Sequence, residues 1–321
     1  MSLLLVTFFS ISFIISIAAV ALVAKENRKR GIAGIDVNKA DKRELPESAG
    51  IALLLPLWTA IIMFNWFIAE NTGFIAFGLT VSVLSTVGFL DDRKHKFKVS
   101  PMGWTGRAVL TALVSVMFAM FYAPTIFWLL PFALFVAGLA AFENTFAGLN
   151  GWEVGSGLII ACFVAALLSP IGPMPIGIAL VGAIAGLLVL NLYPAKVFPG
   201  DSGTLLIGAS IACLVILNQG IPLMFLTALF FLPHMIDFFL LKLLTNPHDV
   251  SQSKQLPYAL GADNRLRIPA KKGEKPRYDF AKLLLRLLGP MQEWKVVALI
   301  WAIVAANCLF WTLLFLWFKM I

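Results

Sequence analysis

Charge is scarce in this sequence. Only 13% of its 321 residues are Asp, Glu, Lys or Arg, whereas 60% are hydrophobic. Soluble globular domains carry about 25% charged residues, so the composition excludes a soluble enzyme or a soluble binding domain. It predicts an all-α polytopic membrane protein instead, because the apolar runs have the roughly 17–25 residues that a helix needs to cross a bilayer.

Cysteine is also scarce, and the three that occur, Cys162, Cys213 and Cys308, all lie in apolar segments. They lack the spacing of metal ligands, which excludes a cysteine-based zinc site. We interpret them as small packing residues. The sequence also lacks a basic stripe interleaved with aromatic residues, and this absence excludes nucleic acid as a partner.

The apolar runs predict ten transmembrane helices, several of them joined by only two to five residues. We treat 1–321 as a single integral-membrane domain with one long loop at about 245–294. The predicted spans are 2–24, 49–69, 73–91, 105–122, 125–143, 154–170, 175–193, 203–218, 221–244 and 295–318.

Positive charge is almost absent from one side of the membrane when the ten predicted helices are threaded through it. With the N-terminus outside, only Lys319 of the 25 Lys and Arg residues falls on the outer side. Basic residues accumulate in cytoplasmic loops, so the inner side is predicted to face the cytoplasm. A basic cluster follows the first apolar run rather than preceding it, which favours a retained helix over a cleaved signal. The predicted inner loops are 25–48, 92–104, 144–153, 194–202 and 245–294.

The unusual polar stretches all fall in these inner loops, where we expect any active site to form. A secondary transporter, the alternative from another class, needs polar groups near the middle of the membrane and access from both sides. The ninth span holds one conspicuous ionisable pair, His234 and Asp237. Such a pair is either functional or a structural link between helices. A lipid-binding scaffold without activity is a third hypothesis.

Two aspartates end the third span within GFLDDRKHKFK (88–98). Helix C-termini disfavour anions, so Asp91 and Asp92 are costly there unless a cation or a ligand offsets them. Adjacent carboxylates at this point can bind Mg²⁺, orient a ligand or act as a base. Asp201 in FPGDSG has two interpretations: a helix cap, or a ligand-binding carboxylate whose flanking glycines allow close backbone approach.

Amides, glycines and a carboxylate are combined in NTFAGLNGWEVGSG (144–157). Such a loop suits the edges of a nucleotide and a hard metal ion. Arg265 and Arg267 alternate in an extended-looking segment before Pro269, and guanidinium groups suit phosphate, although a basic loop on a membrane surface would also explain them. The combination predicts an enzyme that joins a soluble nucleotide-phosphate substrate to a lipid.

These motifs resemble the polyprenyl-phosphate N-acetylhexosamine-1-phosphate transferase superfamily, of the glycosyltransferase 4 type. The double aspartate is shared by all its branches. DVNK with LPES (36–39 and 45–48) and NRLRIP (264–269) resemble the archaeal and eukaryotic dolichyl-phosphate branch, and a histidine-rich fifth loop, typical of bacterial cell-wall branches, is absent. The more specific motifs are AGLNGWEVG (147–155) and VFPGDSG (197–203).

The resemblance implies transfer of N-acetylglucosamine-1-phosphate, or a related HexNAc-1-phosphate, from a UDP-sugar to dolichyl or polyprenyl phosphate. UMP is released, and the product begins lipid-linked oligosaccharide assembly for N-glycosylation. The alternative within the family is a bacterial-type transferase acting on undecaprenyl phosphate. The implied location is the cell membrane of an archaeon or the endoplasmic reticulum membrane of a eukaryote, with the active site facing the cytoplasm.

The resemblance also implies roles for individual residues. Mg²⁺, with Mn²⁺ as a possible substitute, would be bound by Asn144 and Asp201. The catalytic residues would be Asp91, Asp92 and Lys98, with Arg107 as the second choice for the cation. The substrate-binding residues would be Val37, Glu47, Gly148, Asn150 and Phe198 for the nucleotide, and Arg265 and Arg267 for the sugar phosphate and the acetamido sugar.

Three departures from the family pattern affect these assignments. Ala141 stands where the family often has an amide, Leu266 replaces a histidine between the two arginines, and the loop after the double aspartate is shorter than in eukaryotic relatives. Both a one-step displacement and a covalent aspartyl-phosphate route stay open. Gly182 and Gly186 permit close helix contact, either within one chain or between the two chains of a homodimer.

Overall fold

The computed structural model describes residues 2–93, 103–170, 172–245, 258–269 and 278–320, and this part of the chain is mostly helical. A 3₁₀ helix (Ala49–Leu53) precedes α2, and two antiparallel ribbons pair β1 (Ala33–Ile35) with β2 (Glu44–Pro46) and β3 (Ala259–Leu260) with β4 (Leu266–Arg267). The α-helices are α1 Ser2–Arg30, α2 Leu54–Phe67, α3 Thr72–Asp92, α4 Gly103–Tyr122, α5 Ile126–Thr145, α6 Trp152–Leu167, α7 Met174–Asn191, α8 Gly200–Leu217, α9 Ile221–Phe230, α10 Leu232–Met235, α11 Phe280–Leu288 and α12 Glu293–Trp317.

Eight helices in the described ranges are long and apolar enough to cross a membrane. A ninth span forms if α9 and the helical stretch Leu232–Leu243, bent by 52° relative to each other, are counted together. Pro233 is the second residue of the second piece, and its missing N–H explains a break at this point. The all-α polytopic class is therefore confirmed. The predicted span 154–170 falls on α6, which has only 16 residues, so the count of ten spans stays a prediction, as does the cytoplasmic side of the loops.

Helix α8 is the centre of the bundle. Every residue from Ser202 to Ile216 is buried, and α8 packs against α3, α5 and the 3₁₀ helix. A helix that is apolar all round must be enclosed by others, and glycine, alanine, serine and cysteine along α8 let its neighbours approach closely. At Gly88 of α3, an added Cβ would lie 2.5 Å from the Ser202 backbone nitrogen. The start of α8 is thereby held against the end of α3.

The two glycines of the small-residue motif in α7, Gly182 and Gly186, pack against another helix of the same chain. Gly182 and Gly186 both face α1, where they meet Phe9, Phe13 and Ser16. The Ser16 hydroxyl donates to the Ala183 carbonyl oxygen at 2.6 Å. Because this contact within one chain explains the two glycines, the motif does not support a homodimer. The homodimer stays a prediction.

The ionisable pair predicted in the ninth span is divided between two contacts. His234 Nε2 lies 3.3 Å from Glu143 Oε2 at the end of α5. Asp237 Oδ1 accepts a hydrogen bond from the Phe280 backbone N–H at 2.7 Å, and its Oδ2 pairs with Lys242 Nζ at 2.6 Å. Asp237 thus links the broken helix to the start of α11 by a hydrogen bond, as the structural interpretation predicts. His234 and Glu143 lie side by side without a hydrogen bond in the described part of the chain.

We predict that Gly186→Ala lowers the melting temperature of the purified protein. The added Cβ would lie 2.6 Å from Ser16 Cβ and 2.8 Å from the Phe13 carbonyl oxygen, and overpacking of this kind costs about 1–3 kcal/mol. The matched control is Gly138→Ala in α5, where an added Cβ would meet only Phe142 Cε2, at 3.8 Å. The control should melt at or above the wild-type temperature, and equal melting of the two variants would contradict the prediction.

Candidate active site

A cleft of about 260 Å³ opens at one end of the helix bundle. It is lined by the segment around β1 and β2, the loop after α5 and the start of α8, so the chain returns to it from separate regions. Seven of the residues that the sequence suggested for substrate or metal line this cleft: Val37, Glu47, Asn144, Gly148, Asn150, Phe198 and Asp201.

Glycines shape two walls of the cleft. Gly151, with φ of +81°, ends the loop after α5 and begins α6, and Gly200, with φ of +67°, begins α8. This left-handed conformation strongly favours glycine because it has no Cβ. The turns place Asn150 immediately before α6 and Asp201 in the first turn of α8, with both residues on the cleft.

An arginine joins two of the predicted carboxylates. Arg107 Nη1 lies 3.0 Å from Asp91 Oδ2 and also contacts Asp201 Oδ2. Asn144 Nδ2 donates to Asp201 Oδ1 at 2.8 Å and to Thr204 Oγ1 at 2.8 Å. The ends of α3 and α5 and the starts of α4 and α8 therefore meet in one acidic centre with a guanidinium inside it.

Asp92 has a different environment from Asp91. Its Oδ1 accepts a hydrogen bond from the Asp201 backbone N–H at 3.1 Å, and its Oδ2 accepts one from Ser202 N–H at 3.4 Å and one from the Ser48 hydroxyl at 2.6 Å. Asp92 thus caps the N-terminus of α8 from another helix. The interpretation of Asp201 as the cap is wrong, since the N-cap position is Pro199 and the Asp201 side chain faces the acidic centre.

Glu47 lines the cleft close to Gly34 and Phe198. Burial raises its pKa from 4.5 to about 7, and the nearby charge of Asp92 adds to this rise. Glu47 is therefore a carboxyl group on this cleft whose charge changes near neutral pH.

Three functional candidates were not predicted from the sequence. Asp36, Lys39 and Glu293 are buried beside Asn150, and Asp36 also lines the cleft. Asp36 and Lys39 belong to the DVNK motif, and their charges in this motif could have identified them as candidates. Glu293 begins an apolar helix. An acidic residue is common at this position because it interacts favourably with the helix dipole, so the sequence did not mark Glu293 as a functional residue.

The structure does not bring every predicted residue to the cleft. Arg265 and Arg267 lie on the exposed β3–β4 ribbon and are absent from the cleft lining in the described part of the chain. Arg267 makes a forked pair with Asp263, at 2.8 and 3.0 Å, which raises the pKa of the arginine and lowers that of the aspartate. Lys98 lies outside the described residues, whereas Arg107, the second choice, contacts Asp91 and Asp201.

The donor atoms of Asn144 and Asp201 fit a magnesium ion. Both residues offer hard oxygen ligands, and the guanidinium of Arg107 against Asp201 indicates a carboxylate placed to face positive charge. The Asn144 amide can turn its oxygen inward, because the neighbouring Thr204 hydroxyl both donates and accepts. Mg²⁺ commonly binds one or two protein carboxylates plus substrate phosphates. Within the described ranges, no three His, Cys, Asp or Glu residues could hold a metal together.

Comparison with known proteins finds relatives along most of the chain. The model of glycosyl transferase family 4 matches residues 74–219. A Saccharolobus solfataricus protein, provisionally named UDP-N-acetylglucosamine–dolichyl-phosphate N-acetylglucosaminephosphotransferase, is 29% identical over 317 residues, covering 92% of both chains. A provisionally named glycosyltransferase of Methanocaldococcus jannaschii is 30% identical over 84% of this chain and 83% of its own. A phospho-N-acetylmuramoyl-pentapeptide-transferase of Carboxydothermus hydrogenoformans is 27% identical over 56% of this chain and 63% of its own.

We predict that substitutions of the two adjacent aspartates differ in their effect on protein stability. Asp92→Asn removes a charged acceptor from the backbone N–H groups that begin α8 and should cost about 1–3 kcal/mol. Asp91→Asn should melt closer to wild type, because Arg107 keeps its contact with Asp201. Thermal unfolding in detergent measures both variants, and an Asp92→Asn protein as stable as Asp91→Asn would contradict the capping role.

We also predict a pH-dependent contribution of Glu47 to stability. Its pKa is about 7 in the folded protein and 4.5 when it is unperturbed, so the folded state holds a proton that the unfolded state releases first. The free energy of unfolding should therefore fall as pH rises from about 4.5 to about 7. Melting curves of the wild type and Glu47→Gln should diverge across this window, with the variant gaining in relative stability. A constant difference would contradict the raised pKa.

Proposed function

The chain belongs to glycosyl transferase family 4, and from this premise we propose that it transfers N-acetylglucosamine-1-phosphate, or a related HexNAc-1-phosphate, from the UDP-sugar to dolichyl or polyprenyl phosphate. UMP leaves, and a lipid-diphosphate-sugar forms. The name of the Saccharolobus solfataricus relative supports this proposal, whereas the name of the Methanocaldococcus jannaschii relative supports glycosyl transfer only. Their alignments cover more of the chain than that of the pentapeptide transferase does.

One observation carries the proposal. The acidic centre of Asp91, Asp201 and Arg107 adjoins the cleft that holds Asn144 and Asn150, and both lie at the end of an apolar helix bundle. A water-soluble nucleotide substrate can enter the cleft, while a lipid substrate can remain among the helices with its phosphate at their ends. A transporter fits less well, because the polar groups of the cleft gather at helix ends.

The reaction exchanges one phosphoric anhydride bond for another. An oxygen of the lipid phosphate forms a bond to the sugar-bearing phosphorus, and the bond from that phosphorus to the bridging oxygen breaks, so that UMP carries away the electron pair. A phosphate monoester has a second pKa near 6 and is largely a dianion at pH 7. It therefore needs little help from a base, and the main obstacle is the approach of two anions.

The residues of the acidic centre address this obstacle. Arg107 supplies positive charge between Asp91 and Asp201, and an arginine near the transferring group stabilises charge that develops in the transition state. Asn144 and Asp201 would hold Mg²⁺. When bound, the ion would neutralise charge on the diphosphate and on the departing UMP.

The environment of the double aspartate favours one-step displacement over a covalent intermediate. Both oxygens of Asp92 accept hydrogen bonds from the chain, which weakens them as nucleophiles. Asp91 is paired with Arg107, and we assign it to orienting that guanidinium and the incoming phosphate. Asp92 is then a positioning residue, whereas the sequence suggested a direct role for both aspartates.

We predict that the purified protein forms a lipid-diphosphate-sugar from UDP-N-acetylglucosamine and dolichyl phosphate in the presence of Mg²⁺. Mass spectrometry of the lipid fraction detects the product, and release of UMP provides a second readout. Parallel reactions with undecaprenyl phosphate test the bacterial-type alternative. Absence of product with every lipid phosphate tried would overturn the proposed function.

Asp201→Asn is the informative variant for this assay. Asparagine has nearly the size and capping ability of aspartate, and the α8 cap is supplied by Asp92, so the fold should persist. Turnover should fall by about a hundredfold or more, on the scale of a lost transition-state contact, and a higher Mg²⁺ concentration should be needed for half-maximal activity. Normal turnover and Mg²⁺ dependence would remove Asp201 from the metal site.

A further inference from the structure

A closed ring of polar contacts lies behind one wall of the cleft, and the proposed reaction steps do not use it. Its members come from three separate parts of the chain: Asp36 and Lys39 follow β1, Asn150 precedes α6, and Glu293 begins α12. They are only 3%, 9%, 5% and 4% exposed, respectively. Burial of charges at this level is unfavourable unless each one is paired, so the arrangement requires a physical account.

The contacts run in a circle. Asn150 Nδ2 donates to Asp36 Oδ2 at 3.0 Å, and this oxygen lies 3.4 Å from Lys39 Nζ. Lys39 Nζ also donates to Glu293 Oε2, and Glu293 Oε1 accepts the Asn150 backbone N–H at 2.9 Å. The Lys39 ammonium additionally lies 4.7 Å from the centre of the Tyr193 ring. Asn150 is therefore held at its side chain and its backbone at once.

The ring determines which end of the Asn150 amide faces the cleft. An ionised carboxylate is only an acceptor, so Asp36 requires the NH₂ group of Asn150 to point toward it. Asn150 Oδ1 makes no hydrogen bond within the described part of the chain, and Asn150 lines the cleft. The Asn150 side chain therefore faces the cleft with its carbonyl oxygen and not with its N–H groups.

We propose that Asp36, Lys39 and Glu293 are positioning residues that set nucleobase specificity by locking this amide. The proposal rests on the function proposed above. A uracil ring carries an N–H donor at N3, which a fixed carbonyl oxygen accepts. Cytosine has a lone pair at N3, which would face that oxygen without a proton between them, and a buried polar atom left unpaired loses affinity. The same ring makes the start of α12 part of the specificity device.

The test compares the affinities of UMP and CMP for the full-length protein by isothermal titration calorimetry. Wild type should bind UMP more tightly. Asp36→Asn keeps the shape of the side chain but supplies an amide that can donate, so Asn150 can turn its NH₂ group into the cleft. The ratio of CMP to UMP dissociation constants should fall at least tenfold. Lys39→Met removes the cation between Asp36 and Glu293, and two buried carboxylates without it favour protonation of one of them. A protonated Asp36 can donate, so the ratio should change in the same direction, and this variant replaces Asp36→Asn if that variant does not fold.

A control variant separates specificity from general stability. Lys282 is similarly buried and pairs with Asp279 at 3.2 Å on α11, and neither residue lines the cleft. Lys282→Met should lower the melting temperature and leave the affinity ratio unchanged.

Two results would overturn the proposal, and they are distinguishable. If wild type prefers UMP while Asp36→Asn and Lys39→Met weaken both nucleotides equally, the ring is only structural and the proposed function stands. If wild type shows no preference for UMP, the proposed function fails together with the specificity device.

Discussion

The carboxylate of Asp92 joins three parts of the chain that the cleft needs in one place. It accepts hydrogen bonds from the Ser48 hydroxyl before the 3₁₀ helix and from backbone N–H groups that begin α8, while its own residue ends α3. An anion is unfavourable at the end of α3 and favourable at the start of α8. Because α8 is the buried centre of the bundle, this contact sets the position of Asp201 relative to Asp91 and Arg107.

Charged side chains at the cleft and next to it occur in two linked sets. Arg107 connects Asp91 and Asp201, and Lys39 connects Asp36 and Glu293. Each set places one cation between two carboxylates that come from different segments of the chain. Isolated charges are expensive in an apolar environment, so the pairing makes these groups tolerable and also restricts their geometry. The result is a polar site at the end of a bundle whose other surfaces are mostly apolar, which suits the proposed reaction between a soluble nucleotide and a lipid.

Close helix packing supports that site. Gly88 brings α3 onto the first turn of α8, and Gly182 and Gly186 bring α7 onto α1. Between membrane helices there is little hydrophobic driving force, and small residues increase the dispersion contacts that hold them together. The acidic centre thus depends on glycines that take no part in chemistry, and a single added methyl group at such a position moves one helix relative to the next.

The sequence by itself determined the class of the fold, the family and seven of the residues that line the cleft. Apolar runs of sufficient length specify helices locally, and short motifs such as AGLNGWEVG and VFPGDSG carry Asn150 and Asp201 with them. The tertiary structure determined which residue has which role. That Asp92 caps α8, that Arg107 contacts Asp201 and that Asp36 orients Asn150 all depend on contacts between residues far apart in the chain, 109 positions for Asp92 with Asp201 and 114 for Asp36 with Asn150. Such pairings are set by the geometry of the whole bundle, and hydropathy and spacing along the chain contain no record of them.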